Sequence, residues 1–160
     1  MPAAIGPRRA ARPSAGDEAG WVVVTGAWGE LGARAGAVRR AVFVQEQGID
    51  EALERDEADP DCLHALAVDD EGCAVGTGRL RPDARIGRMA VLAPWRSRGV
   101  GSALLERLVA AAVARGEAVV ELSAQRRAER FYAQRGFVAE GAPYDDAGIE
   151  HVRMVRRLAP

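Results

Sequence analysis

The sequence predicts one mixed α/β domain, and three observations carry that expectation. Three strand-like stretches, residues 62–68, 73–80 and 85–92, follow one another across the short polar connections "DDEG" and "RPDA", as antiparallel neighbours do. The last of them leads into a glycine-opened helix and then into "AVVELSA" (118–124), a β–α–β unit whose strands should be parallel with a right-handed crossover. The length of 160 residues suits one domain, 48% apolar residues suit a buried core, and no internal repeat is visible.

The elements follow in order. Residues 1–19, "MPAAIGPRRAARPSAGDEA", lack the apolar stretch of a secretory signal. No acid precedes Asp17, which is compatible with an organelle-targeting segment, but the Pro and Gly content favours a disordered tail before a domain at 20–160. "WVVVT" (21–25) reads as a strand. From Glu30 to Gln45, Leu31, Ala35, Val38 and Val42 share one helical face. "EQGIDEALERDEADPD" (46–61) is acidic and holds Gly48 and Pro60, so it reads as a long loop with at most a helical turn. After the three strands, the glycine-opened helix runs to Arg115 and closes on Gly116. "QRRAERFYAQRG" (125–136) reads as a second helix, and "GFVAEG" and "EHVRMVRRL" as final strands.

Composition excludes several classes. A net charge of −1 gives no electrostatic case for nucleic acid. No run of eighteen apolar residues suggests a membrane span. All basic residues are arginine, which reads as GC-rich coding. Cys62 and Cys73 form no CxxC pair, and two histidines complete no zinc pattern, so no metal is expected. The cysteines read as small buried thiols in a reducing cytoplasm.

The stretch "WRSRGVGSALLERL" (95–108) carries the chemistry. The first four N–H groups of a helix lack intrahelical partners, and the dipole makes that end positive. Gly99 and Gly101 leave those groups bare, and Arg96 and Arg98 add forked donors. The pattern is a phosphate cradle. A P-loop would need lysine, which the chain lacks. The dinucleotide fingerprint GxGxxG/A starts at Gly99 and Gly101 but meets Leu104, and Glu121, twenty residues on, lies mid-strand.

What remains is R-x-x-G-x-G at Arg96, Gly99 and Gly101. Here the chain resembles the GNAT superfamily of acyl-CoA N-acyltransferases, whose cradle reads Q/R-x-x-G-x-G/A. "RMAVLAPWRSRGVG" (88–101) is similar to that family's strand–loop–helix passage, and "AERFYAQRGF" (128–137) to its A-x-x-F-Y-x-x-x-G-F segment. The resemblance covers roughly residues 20–158. "RRAVFVQEQG", "LHALAV" and "PYDDAGIEHVRM" resemble the ElaA-like subgroup.

The resemblance implies a central mixed sheet whose parallel strands splay apart, flanked by helices. It implies acetyl-CoA as co-substrate and transfer of the acetyl group to a primary amine by direct attack in a ternary complex. Carried over by position, Met89 and Val91 offer backbone groups to the pantetheine arm. Arg96, Ser97, Arg98, Gly99, Val100, Gly101 and Ser102 surround the pyrophosphate. Gln125 stands where the family often has Asn and either bonds the pantetheine amide or caps a helix. Tyr132 is the expected acid toward the departing thiolate. The family's strand glutamate, used by some members as base, is matched by Arg85. Glu46, Glu121, His151 or water are therefore the candidate bases, with Glu46 first. The expected partner is a small-molecule or peptide amine in the cytoplasm, and a homodimer is compatible with the reading. The acidic loop 46–61 hints at a cationic acceptor, against the plain alternative of a solvated surface.

Two readings from other classes stand beside it. One is a non-catalytic CoA- or nucleotide-binding sensor. The other is an acyl-homoserine lactone synthase-like enzyme, which "RRAVFVQEQG" superficially fits but the short chain does not.

Overall fold

The computed structural model describes residues 20–54 and 56–158. Residues 1–19, assigned above to a tail or a targeting segment, lie outside the described residues. The elements are β1 (Trp21–Gly26), α1 (Trp28–Arg39), a π-helical turn (Arg40–Glu46), α2 (Glu51–Glu54), β2 (Leu63–Asp69), β3 (Ala74–Leu80), β4 (Arg85–Val91), α3 (Val100–Ala114), β5 (Val119–Gln125), α4 (Glu129–Ala133), β6 (Val138–Asp146) and β7 (Ile149–Arg157). The seven strands form one sheet in the order β1-β2-β3-β4-β5-β7-β6. Every neighbouring pair is antiparallel except β4 and β5, which are parallel. This is the mixed sheet the sequence predicts. Among the described residues no helix is long and apolar enough to cross a membrane.

Local differences have identifiable causes. The helix expected over 125–136 starts late, because the β5–β7 ladder continues to Gln125↔His151. A 3₁₀ turn (Arg126–Ala128) then leads into the five-residue α4. The segment 46–61 is a loop holding the expected helical turn, the four-residue α2, and in addition a 3₁₀ turn at Asp59–Asp61 around Pro60. Strand β6 reaches Asp146, beyond the expected end, because β7 pairs with it again at Tyr144↔His151 past an irregularity after Glu140. Both cysteines are free thiols as expected, but only Cys62 is buried; Cys73 is exposed.

Helix α3 buries Val100, Leu104, Leu105, Leu108, Val109 and Ala112 against one face of the sheet. Glycine on β3 makes that approach close: a Cβ at Gly76 would lie 2.9 Å from Val100 Cγ1 and 3.0 Å from Leu104 Cδ1. On the opposite face α1 packs Leu31 and Ala35 on Val24, Leu66 and Val68. The continuing helix packs Val38 and Val42 on Ala90.

A bulge in β4 positions the site. Register shifts between Thr77 and Arg79, so Arg88 and Met89 stand where one residue is expected, and Arg88 takes a left-handed backbone (φ 50). The extra residue keeps Met89 on the α3 face, beside Gly78, and Ala90 on the α1 face. On its other edge β4 pairs with β5 only at Arg85↔Glu121 and Ile86↔Leu122. Beyond these the parallel strands part, leaving a gap at their carboxyl ends.

Candidate active site

Two cavities open on that gap. The smaller, about 410 Å³, lies at the start of α3. Gly99 is the N-cap in the left-handed region (φ 85), with no side-chain cap. The amides that follow are thus left to a ligand. Ser97, Gly99, Val100, Gly101 and Ser102 all line this cavity. A Cβ at Gly101 would lie 3.4 Å from Phe131 Cζ and 3.8 Å from Val91 Cγ2, so a side chain there would fill the cradle. The backbone therefore fits an anionic pyrophosphate. Met89 and Val91 line the same cavity from the unpaired edge of β4.

The predicted arginines are disposed unequally. Arg96 Nε donates to the Val91 carbonyl at 2.9 Å, and its two terminal nitrogens fork onto Glu46 at 2.8 Å each. Its donors are thereby engaged by the end of the π-helical turn, while the residue itself also lines the cradle cavity. Arg98 lies with Cζ 5.1 Å from the centre of the Trp95 ring. A second arginine beside the cradle, Arg135, lines the same cavity and was missed by sequence reasoning. Its Nε donates to Ser102 Oγ at 3.0 Å, one terminal nitrogen donates to the Phe131 carbonyl at 2.7 Å, and Cζ stacks 3.8 Å over the Phe131 ring. The signal was faint, because "AQRGF" spaces Arg135 four residues after Phe131, one helical turn away.

The larger cavity, about 830 Å³, lies on the other side of the gap. Seven arginines and three carboxylates line it, with Phe43, Ser123, Gln125, Tyr144 and His151 among the other walls. Tyr132 lines both cavities. Its ring meets Phe131 and Phe137 edge-on, and burial pushes its phenol up to about 12. The hydroxyl therefore stays a donor at any ordinary pH. Gln125 occupies the N-cap of the 126–128 turn without capping it; Nε2 donates to Gln47 Oε1 at 2.9 Å, and Oε1 accepts from Arg127 at 3.0 Å.

The candidate bases separate by their partners. Glu46 is held below the usual carboxylate range by its bond to Arg96. Burial pushes Glu121 up, but the bonds and charges of Arg153 and Arg85 outweigh it and the net shift is downward. Both carboxylates are thus weakened as bases. His151 Nδ1 lies 2.7 Å from the Ile149 carbonyl. A carbonyl only accepts, so Nδ1 carries the hydrogen, and in the neutral ring Nε2 is the nitrogen that keeps its lone pair. The ring stacks on Tyr144 at 6.1 Å, and Tyr144 in turn shares a hydrogen bond with Ser123.

The acidic segment 46–61 is mostly spoken for internally. Asp59 accepts from Arg39 at 2.9 Å and from Arg79 at 2.7 Å; Glu54 pairs with Arg39 and Asp56 with Arg79. Arg39, Arg79 and Asp59 are buried. Burial opposes the ionised forms of Asp56 and Asp59, yet the arginine bonds outweigh it and hold both low, Asp56 at about 2. The segment is therefore a clamp that closes one wall of the larger cavity. Much of its charge is thereby engaged by arginine, while Asp50, Glu57 and Asp61 are exposed. A grouping of the half-buried Asp69 with the exposed Glu71 and Cys73 lies at the β2–β3 turn, where Asp69 accepts the backbone N–H groups of the other two at 2.9 Å each. That carboxylate caps the turn.

Comparison with known proteins agrees with this geometry. A family model described as an acetyltransferase (GNAT) domain matches residues 28–158. The Bacillus subtilis "Uncharacterized N-acetyltransferase YjcF" is 36% identical over 123 residues, which is 74% of this chain and 87% of that protein. A crystal structure of an acyl-CoA N-acyltransferase from Pseudomonas aeruginosa superposes with a TM-score of 0.75 at 29% identity, over 85% of this chain and 99% of that one. Escherichia coli ElaA superposes with a TM-score of 0.76 at 25% identity, over 86% and 99% of the two chains.

Proposed function

This chain belongs to the GNAT acetyltransferase family, and on that premise we propose that it transfers the acetyl group of acetyl-CoA to a primary amine held in the larger cavity. Acyl transfer from an acyl-CoA to an amine is the activity the family carries. The observation that carries the specific reading is Tyr132, a buried phenol lining both cavities where β4 and β5 part.

The residues divide the work as follows. The amides of Ser97 to Ser102 hold the pyrophosphate at the positive end of α3, with Arg135 beside them. The edges of Met89 and Val91 face the pantetheine arm. The bound thioester supplies an electrophilic acyl carbon and a sulfur leaving group. His151 Nε2 accepts a proton from the incoming amine. The new bond forms between amine nitrogen and acyl carbon, the carbon–sulfur bond breaks, the Tyr132 hydroxyl gives its proton to the departing sulfur, and the proton shed by the acylated nitrogen restores the phenol. Glu46, paired with Arg96, positions the loop and takes no proton.

Release of free CoA thiol from acetyl-CoA across a panel of primary amines tests the reading. Amine-dependent thiol release, with a mass gain of one acetyl group on the amine, is expected. Tight acetyl-CoA binding with no turnover on any amine would instead favour a sensor.

A further inference from the structure

We propose that the acceptor is an acidic amine, one carrying a carboxylate or phosphate besides its amino group, and that Arg88 receives that anion. The inference rests on the acyltransfer reading above and names the class of substrate it acts on.

Arg88 stands on the bulge of β4, in the wall of the larger cavity. Its Nε is buried and has no hydrogen-bond partner among the described residues. Its nearest carboxylate oxygen, Asp56 Oδ2, is 3.5 Å from a terminal nitrogen, while Arg79 takes that same oxygen at 2.5 Å. The remaining carboxylates nearby, Glu54 and Asp59, are bonded to Arg39 and Arg79. Arg88 is thus a guanidinium with one buried N–H unbonded and a single ion-pair contact, to an oxygen that Arg79 already holds. Burial together with the charges of Arg79 and Arg39 makes its ionised form less favourable. Buried unbonded donors are rare in folded proteins and call for a partner; Trp21 Nε1 and Arg79 Nε share this condition, but Arg88 also lines the cavity wall and holds no carboxylate of its own.

The rest of the wall points the same way. Arg127, across the gap on the turn after β5, donates to the neutral Gln125. Arg85 and Arg153 share Glu121. The cavity therefore has more arginine than carboxylate, and its spare donors belong to Arg88 and Arg127. A planar guanidinium offers a fork that matches carboxylate and phosphate oxygens. An acceptor bearing only positive charge would enter this wall against repulsion.

The test uses matched acceptors: L-phenylalanine against L-phenylalaninamide, and O-phosphoethanolamine against ethanolamine. Specificity constants are measured at saturating acetyl-CoA for wild type, Arg88→Gln and Arg88→Lys. At least one acidic member should be preferred about tenfold or more in wild type, as a charge-assisted bond in a confined site gives. The preference should collapse in Arg88→Gln and persist in part in Arg88→Lys. Comparing the ratio between enzymes cancels the different basicities of the paired amines. The preferred pair identifies the anion as carboxylate or phosphate. No preference in wild type in either pair, or a preference undiminished in Arg88→Gln, overturns the proposal. If no amine turns over, the acyltransfer reading fails. Calorimetry of N-acetyl-L-phenylalanine and N-acetyl-O-phosphoethanolamine, each against its uncharged counterpart and with CoA present, then decides the inference by itself. Tighter binding of an acidic ligand, lost in Arg88→Gln, supports it; equal or absent binding overturns it.

Discussion

Glu46 and Arg96 are joined by two parallel bonds, one from each terminal nitrogen of the arginine to one oxygen of the carboxylate, at 2.8 Å each. The pair ties the last residue of the π-helical turn to the loop that enters the cradle, fifty residues later. π-Helical turns recur at functional sites because the extra residue redirects a helix end. Here it presents Glu46 to Arg96. Both side chains are about two-fifths exposed, at 39% and 41%, so the pair does little for global stability. Its consequence is local, since Arg96 also holds the Val91 carbonyl at 2.9 Å.

Glu46→Gln should therefore raise the KM for acetyl-CoA and leave the pH profile of kcat in place. The amide keeps one acceptor for Arg96 but loses the charge. A fall in kcat of roughly 10²-fold or more, with the basic group's pH limb abolished, would instead make Glu46 the base.

Gly101→Glu should abolish acetyl-CoA binding in a folded protein. The new side chain would start 3.4 Å from Phe131 Cζ and carry a negative charge into an anion site. Calorimetric titration checks it, with circular dichroism as the control for folding. Unchanged affinity would remove the cradle assignment.

Much of the fold and part of the site could be read from the chain. Apolar stretches joined by short polar connections located β2 to β4, "AVVELSA" located β5, and the glycine pair located the uncapped start of α3. Less legible was whatever depends on partners distant in sequence. The acidic run 46–61 reads from sequence as either a functional loop or a solvated surface, since nothing local announces that Asp59 meets Arg39 and Arg79, each twenty residues away on opposite sides. Arg88 read as one more strand residue, because a bulge is a property of two strands in register. Arg96 is legible as a cradle residue, but its fork onto Glu46, fifty residues earlier, is not. In each case the side chain's chemistry was evident and its partner was not.

The clamp has an acid-side signature. Asp56 is about a quarter exposed, at 23%, and its carboxyl is held at about 2, below an ordinary aspartate. A lowered native pKa contributes stability that is complete above the unfolded value and is lost as pH falls through the native one. Stability should therefore drop between about pH 4 and pH 2, with Asp56 contributing ~2 kcal/mol at most. Asp56→Asn should lower Tm at pH 7 and flatten that acid dependence. A parallel pair of stability–pH curves would show that Asp56 carries no such load.

His151→Gln should slow acetyl transfer without weakening acetyl-CoA. Glutamine supplies hydrogen-bonding groups but no base. Loss of roughly 10²-fold or more in kcat is expected, with partial recovery as pH rises and more of the amine arrives uncharged. Wild-type kcat across all pH would return the proton to water and leave His151 as the stacking partner of Tyr144.

Tyr132→Phe is the sharpest test of the chemistry, because it removes one hydroxyl and keeps the ring. The edge-on contacts with Phe131 and Phe137 survive, and no described residue hydrogen-bonds the hydroxyl that is lost, so folding and acetyl-CoA affinity should hardly change. Burial keeps the phenol protonated to about 12, so wild type should show no alkaline limb from this group below about pH 10. Removing the acid should slow single-turnover transfer by roughly 10²–10⁴ where departure of sulfur limits the rate. The loss should shrink for acyl thioesters with more acidic thiols, which leave as thiolates without help. That dependence on the leaving group separates an acid from a packing residue: a packing defect would slow every thioester alike. Equal single-turnover rates for Tyr132→Phe and wild type, or a deficit independent of the thiol, would assign Tyr132 to the wall between the cavities and leave protonation of the sulfur to solvent.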